Sequence, residues 1–397
     1  MKYVVILGDG MSDYPIKELN DKTPLEVANK PFIDELARVS ELGILKTVPD
    51  GMKPGSDVAN LSVLGYNPKT AYTGRSPLEA VSIGIPLSDT DVTLRANLVT
   101  LSNEPEYKDK TMLDYSAGEI STQEAKVLID HLKKYLDTEK LCLHSGVSYR
   151  HCLVVKDGAL FGGFTPPHDI TGKKIGEFLP KNKDYLELMK RSEQILSSHP
   201  INLERIKRGK KPANSIWFWG EGTKPALENY REKYGVKGGM ISAVDLLKGI
   251  AKLSGMNVIN VPGATGNYTT DFMGKAKACV QALKSGLDFV YIHIEAPDEC
   301  GHQGDLEHKI YSIEQIDRVV EYIVTALREE KEQFKILICP DHPTPISIKT
   351  HASDSVPFMI YSSEKAFCGL EAYTEQTAKQ TGTVISDGET LMKKFFA

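Results

Sequence analysis

The sequence predicts an α/β protein in which a mostly parallel sheet flanked by helices is interrupted by a smaller inserted α+β domain. Three observations support that reading. Short apolar runs bounded by turn residues alternate with helix-length amphipathic stretches, the pattern of strand–helix–strand units. Between about Pro86 and Ala213 the texture changes to short strand-like stretches. Acidic and histidine-bearing turns follow the strongest apolar runs, at the edge where open α/β sheets bind ligands.

In chain order, the first strand is expected at residues 3–7, stopped by Gly8-Asp9-Gly10. A helix is expected over 24–39. The inserted domain, 87–212, starts with a strand at 92–101. Its one clear helix covers 125–136, introduced by the capping box Ser121-Thr122-Gln123-Glu124. A strand-like stretch lies at 153–155, and residues 164–169, with two adjacent prolines, read as a rigid loop. The basic run 205–211 reads as a short solvated loop. The main domain, 1–86 and 213–397, is expected to resume near 215–219. Further strands are expected at 257–261, 289–294 and 335–339, with helices at 241–253, 271–284 and 307–329. In the last helix Ile310, Ile313, Ile316, Val320, Ile323 and Leu327 recur at helical spacing and mark one apolar face.

The chain has 397 residues, enough for two or three domains, and its 41% hydrophobic and 25% charged content is that of an ordinary globular protein rather than a disordered one. A net charge of −5 argues against nonspecific nucleic-acid binding, which needs clustered Lys and Arg to neutralise phosphates. The six cysteines, Cys142, Cys152, Cys279, Cys300, Cys339 and Cys368, include no C-x-x-C pair, so neither a zinc ribbon nor a redox dithiol is indicated. Reduced thiols in the cytoplasm are expected. The apolar run 2–7 is too short for a signal peptide or a membrane span, so no membrane association is expected.

Five segments carry chemistry: Gly8-Asp9-Gly10, Pro54-Gly55-Ser56-Asp57, Pro297-Asp298-Glu299-Cys300-Gly301-His302, Pro340-Asp341-His342 and His351. Asp9, Asp298 and Asp341 each follow a predicted strand and would emerge together at one sheet edge. Asp298 and His302, four residues apart, can share a metal. Asp341-His342 can project to opposite sides and serve two. Mixed carboxylate and imidazole donors suit Mn, Zn, Co or Mg rather than calcium. Ser56 lies where a loop turns into a helix, beside free backbone N–H groups and a positive helix end, which favour an alkoxide and a phosphoryl oxygen. Each residue has a plainer reading alone: Asp9 as a turn residue, Ser56 as an N-cap, Asp298 as a helix cap, His342 and His351 as loop histidines. Their joint occurrence favours a two-metal site with a serine nucleophile. His293, His308 and Asp317 fall on strand or helix positions where a structural role is expected.

In order and surroundings these segments resemble the alkaline phosphatase superfamily, and within it the cofactor-independent (2,3-bisphosphoglycerate-independent) phosphoglycerate mutases of the short archaeal type. The resemblance extends through Leu64-Gly65-Tyr66-Asn67-Pro68, Tyr72-Thr73-Gly74-Arg75-Ser76-Pro77-Leu78-Glu79-Ala80, Gly146-Val147-Ser148-Tyr149-Arg150-His151 and Val261-Pro262-Gly263-Ala264-Thr265-Gly266. It implies an alkaline-phosphatase-like core that holds two divalent metals, manganese first. One would be bound by Asp298, His302 and His351, and the other by Asp9, Ser56, Asp341 and His342. Ser56 would carry the phosphoryl group between 3-phosphoglycerate and 2-phosphoglycerate. Arg150, His151 and His168 from the insert, with Arg75 and Lys237 from the main domain, are the expected substrate contacts, and the insert is the expected lid. The paired arginines of the longer bacterial mutases have no counterpart; Trp217-Phe218-Trp219-Gly220-Glu221-Gly222 stands in that region. A subgroup of short-type relatives is proposed to phosphorylate homoserine, and residues 95–101 and 165–170 resemble it. A phosphatase or phosphodiesterase would use the same metal site. No G-x-x-x-x-G-K-[ST] motif occurs, which excludes a P-loop.

Overall fold

Val4, Val5, Ile6 and Leu7 are fully buried, because their strand is hydrogen-bonded on both sides and covered on both faces. In the computed structural model, which describes residues 1–397, thirteen strands follow one another. They are β1 (Lys2–Gly8), β2 (Glu41–Leu45), β3 (Val92–Leu101), β4 (Met112–Asp114), β5 (Leu141–His144), β6 (Arg150–Val155), β7 (Ser215–Thr223), β8 (Gly238–Ile241), β9 (Asn257–Val258), β10 (Phe289–Ile294), β11 (Phe334–Cys339), β12 (Val356–Ser362) and β13 (Val384–Ile385). The chain divides into two units, Met1–Tyr72 with Ala226–Ala397, and Thr73–Pro225.

The larger unit holds an eight-stranded sheet in the order β13-β2-β12-β11-β1-β10-β8-β9, in which β12 alone runs against the rest. The helix Leu306–Glu329 buries Ile313, Ile316, Val320, Ile323 and Leu327 in the core beside the strands, while Ile310 is partly exposed. The stretch 24–39 forms two short helices, Pro24–Val27 and Pro31–Ala37, instead of one. Pro31 disfavours helical geometry at Lys30, so a new helix starts there. Asp317, a structural residue as expected, caps that start, its carboxylate accepting from the Ile33 amide at 2.7 Å.

The smaller unit holds the antiparallel sheet β4-β3-β6-β5, with β7 on the other side of β3. It is wider at both ends than 87–212. The helix Arg75–Ser82 packs on β3 and β7 and belongs to it. The segment 215–219, expected to rejoin the main sheet, lies in β7, paired with β3 along nearly its whole length. Its unbroken apolar run announces a buried strand without saying in which sheet. Within 87–212 two α-helices were not expected, Lys183–Ser197 and Pro200–Lys207. The first buries Tyr185, Met189, Ser192 and Leu196, a stripe diluted by a serine. The basic run is not wholly a solvated loop either. Arg205 is buried, and its guanidinium donates to Glu124, the Ala117 carbonyl and the Lys211 carbonyl at 2.6–2.9 Å.

Candidate active site

Because β1, β10 and β11 are adjacent and parallel, the residues just beyond their carboxyl ends meet. Asp9 follows β1, Asp298 lies on the helix Ala296–Gln303 after β10, and Asp341 follows β11. Gly10 lets them close in. Its φ is +61°, and a Cβ there would stand 2.7 Å from the Asp298 Cα. Its amide donates to Asp341 Oδ1 at 3.2 Å.

Asp298, His302 and His351 form one group. Asp298 and His302 share a helix face one turn apart, with Oδ2 3.3 Å from His302 Nε2 and Oδ1 3.5 Å from His351 Nε2. His302 Nδ1 donates to the Lys349 carbonyl at 3.0 Å, which turns its Nε2 toward the group. Burial opposes ionisation of Asp298, but hydrogen bonds from His302 and His351 outweigh it and hold its carboxyl well below the usual range. The same contact with Asp298 raises His302 to about 9.

Asp9, Ser56, Asp341 and His342 form the second group. Ser56 Oγ is 3.4 Å from Asp9 Oδ2 and 3.3 Å from His342 Nε2, and His342 Nε2 is 3.6 Å from Asp9 Oδ1 and 3.4 Å from Asp341 Oδ2. Ser56 is the first residue of the helix Ser56–Val63, with Gly55 at the N-cap, so its hydroxyl is not used as a cap. His342 stands between the groups, with its ring 4.2 Å from that of His351.

The donors suit divalent cations. Ligands about 2.1 Å from a tetrahedral ion lie about 3.4 Å from one another; the separations above are 3.3–3.6 Å, and His302 Nε2 and His351 Nε2 are closer, at 2.9 Å. Asp9 Oδ1 is buried with no hydrogen-bond partner. Burial, and then the charges of Asp341 and Asp298, push the Asp9 carboxyl well above its ordinary range, a cost that a cation removes. Burial lowers His342, keeping its imidazole neutral and able to donate a lone pair.

Sequence reasoning did not anticipate three supports of this site. Thr344 Oγ1 bonds Asp298 and also lies 3.2 Å from His342 Nδ1, touching both groups. Lys309, fully buried, donates to Asp13 Oδ2 at 2.7 Å and to the Thr344 carbonyl at 2.8 Å. Asn60 donates to Asp341 Oδ2 at 2.8 Å and to the Ser56 carbonyl at 2.9 Å. An asparagine at i+4 from a candidate nucleophile was the one signal available for any of them.

The expected substrate contacts fare unevenly. Arg75, expected in the main domain, lies in the smaller unit. There Arg75 Nε and Arg95 Nε each reach Glu79 at 2.9 Å, and Arg150 adds its charge to the same carboxylate. Burial works against the Glu79 charge, and Arg95 and then Arg75 overcome it, so its carboxyl is lowered. Arg95 also lies 4.0 Å over the Trp219 ring. His168 is exposed, with its ring 5.4 Å from Trp219. His151 does not join them. Neighbouring residues on a strand face opposite ways, so next to exposed Arg150 it is buried, its Nδ1 accepting from the Gly146 amide at 3.0 Å. Burial lowers it to about 3. Lys237 is exposed just before β8, at the amino edge of the large sheet, opposite the edge that carries Asp9, Asp298 and Asp341.

A family model described as 2,3-bisphosphoglycerate-independent phosphoglycerate mutase matches residues 37–202. The enzyme of that name from Methanosarcina barkeri is 49% identical over 386 residues, covering 96% of this chain and 95% of the relative. A Geobacter sulfurreducens protein named a probable mutase of the same kind is 47% identical over 397 residues, covering 99% of each. Among solved structures, a Pyrococcus horikoshii protein aligns with a TM-score of 0.83 at 32% identity, covering 99% of this chain and 96% of the other. The cofactor-independent phosphoglycerate mutase of Thermoplasma acidophilum aligns at 0.67 and 26% identity, covering 100% and 99%. No helix of the chain is long and apolar enough to cross a membrane. With ligand groups on one sheet edge, a serine among them and relatives matched along almost their entire length, this chain belongs to the 2,3-bisphosphoglycerate-independent phosphoglycerate mutase family.

Proposed function

We propose that the chain interconverts 3-phosphoglycerate and 2-phosphoglycerate through a phosphoserine at Ser56. The observation that carries this reading is the Ser56 hydroxyl at a helix start, 3.4 Å from Asp9 and 3.3 Å from His342. One divalent cation would be held by Asp298, His302 and His351, and a second by Asp9, Ser56, Asp341 and His342, with manganese the favoured ion for this donor set. When bound, these cations neutralise charge on the phosphoryl oxygens and lower the pKa of the serine hydroxyl.

The chain's own residues do the rest. Ser56 Oγ gives up its proton and attacks phosphorus in line; its bond to phosphorus forms as the bond to the substrate's O3 breaks, and O3 takes up a proton, so the half-reaction neither gains nor loses one. In the return half-reaction the glycerate O2 loses its proton and attacks the phosphoserine; the Oγ–phosphorus bond breaks and Ser56 Oγ takes a proton back. The open backbone N–H groups at the start of the Ser56–Val63 helix suit the phosphoryl oxygens in both. Arg95, Arg75 and Arg150, with His168 beside Trp219, are the proposed contacts for the glycerate carboxylate, since guanidinium forks match carboxylates. We assign the unit Thr73–Pro225 the task of retaining the glycerate and excluding water from the phosphoserine.

The test is a coupled assay in which 2-phosphoglycerate formed from 3-phosphoglycerate is consumed by enolase, with the protein loaded with Mn, Co, Zn or Mg in turn. Activity is expected without added 2,3-bisphosphoglycerate. Absence of isomerisation with every metal would overturn the proposal, and ATP-dependent phosphorylation of homoserine would put a kinase in its place.

A further inference from the structure

β10 sends two side chains, two residues apart and therefore on one face, toward the second ligand group. Tyr291 donates to Asn60 Oδ1 at 2.7 Å, and Asn60 in turn donates to Asp341 Oδ2 at 2.8 Å. His293, fully buried, places Nε2 2.9 Å from Asp9 Oδ2. Each carboxylate of the group thus has its own support from β10. For Asp9 the support is one-sided, since Oδ2 is engaged and Oδ1 has no partner.

The partners of the two ring nitrogens differ in what they can donate. His293 Nδ1 lies 3.3 Å from Ser242 Oγ, and that oxygen already accepts the Val244 amide at 3.0 Å. On the other side of the ring, an ionised Asp9 carboxylate, the form a ligand takes, can only accept, so Nε2 carries the ring proton and Nδ1 accepts from the Ser242 hydroxyl. Asp9, His293 and Asp341 come close enough to one another to be ligands of one ion. A protonated Nε2 has no lone pair to give, however, so in this tautomer His293 holds a ligand and is not one itself. The His293 backbone is fixed as well, its carbonyl accepting from the buried Lys275 Nζ at 3.2 Å.

We infer that His293 is a positioning residue for the metal centre: its Nε2–H holds Oδ2 of Asp9 and leaves Oδ1 turned toward the cation. The inference rests on Asp9 being a ligand of the second group. Losing such a support typically weakens metal affinity about 10- to 100-fold without unfolding the protein.

The experiment is calorimetric titration of the full-length, metal-stripped chain with manganese chloride. His293→Ala should weaken one class of manganese site about 10- to 100-fold and leave the other unchanged. Turnover should fall in kcat while KM for 3-phosphoglycerate holds, and raised manganese should restore it. His293→Gln, whose amide N–H can reach Asp9 and which guards against a folding failure of the alanine variant, should recover most of the affinity. Unchanged affinities in His293→Ala, with only a lower melting temperature, would make His293 an ordinary core residue and overturn the inference. Loss of the site in both variants would make His293 a ligand and overturn it as well. Asp9→Asn separates the underlying reading: if it leaves both classes intact, Asp9 is not a ligand, and that reading falls irrespective of His293.

Discussion

At Ser56 a hydroxyl, a carboxylate and an imidazole converge within hydrogen-bonding reach, and a residue placed so should be indispensable to chemistry and dispensable to folding. Ser56→Ala is expected to lower turnover by on the order of a thousandfold or more and to abolish any phosphoenzyme trapped from labelled substrate, with an unchanged circular dichroism spectrum. Persistence of a labelled protein would end the covalent route. Arg95 makes a different case. Its guanidinium both pairs with Glu79 and stacks on Trp219, a combination an ammonium cannot reproduce. Arg95→Lys should therefore raise KM for 3-phosphoglycerate by about 10- to 100-fold, the loss of one charge-assisted contact, with a smaller change in kcat. An unchanged KM would remove Arg95 from the substrate site. Ser56 was legible in the sequence only in company with the other ligand segments. Arg95 was not, because an arginine inside a strand gives no local sign of its partners; Glu79, the nearer of them, is on a different element.

At the scale of elements, the sequence exposed those whose pattern is local. The runs that became β1, β10 and β11 are unbroken apolar stretches, and the acidic turns after them placed three candidate ligands on one edge. Elements defined by distant partners stayed hidden. β7 reads as a strand but not as a neighbour of β3, and the Lys183–Ser197 helix presents a serine in its buried stripe. One helix also links two ligands. Asp298 holds His302 protonated up to about pH 9, so below that pH a metal entering this group must displace a proton. Manganese affinity at this group should consequently rise with pH, by up to about tenfold per unit, and level off near 9. His302→Ala should remove that slope and reduce the bound manganese by one ion per chain, as read by dialysis and metal analysis. A slope that survives the substitution would assign the proton elsewhere.

For the whole molecule, the proposed ligands span residues 9 to 351 and would tie together segments that no single element connects. Cations bound there act on the folded state alone, and an ion at 100 times its dissociation constant stabilises by about 2.7 kcal/mol. Chelation should lower the melting temperature by on the order of 5–10 °C and abolish activity, with manganese restoring both. Unaltered melting would mean that metal binding is not linked to folding of the larger unit. The position of β1 also sets an order of synthesis. It precedes the smaller unit in the chain, yet its two sheet neighbours, β10 and β11, follow that unit. Thr73–Pro225, contiguous and complete before residue 226 is added, can fold while the opening strand still waits for partners. Ribosome-arrested chains ending near residue 270 should accordingly yield a protease-resistant fragment of the smaller unit and none of the larger. The proposed ligand set is then assembled only after the smaller unit is complete, and an interrupted translation leaves a folded domain without it.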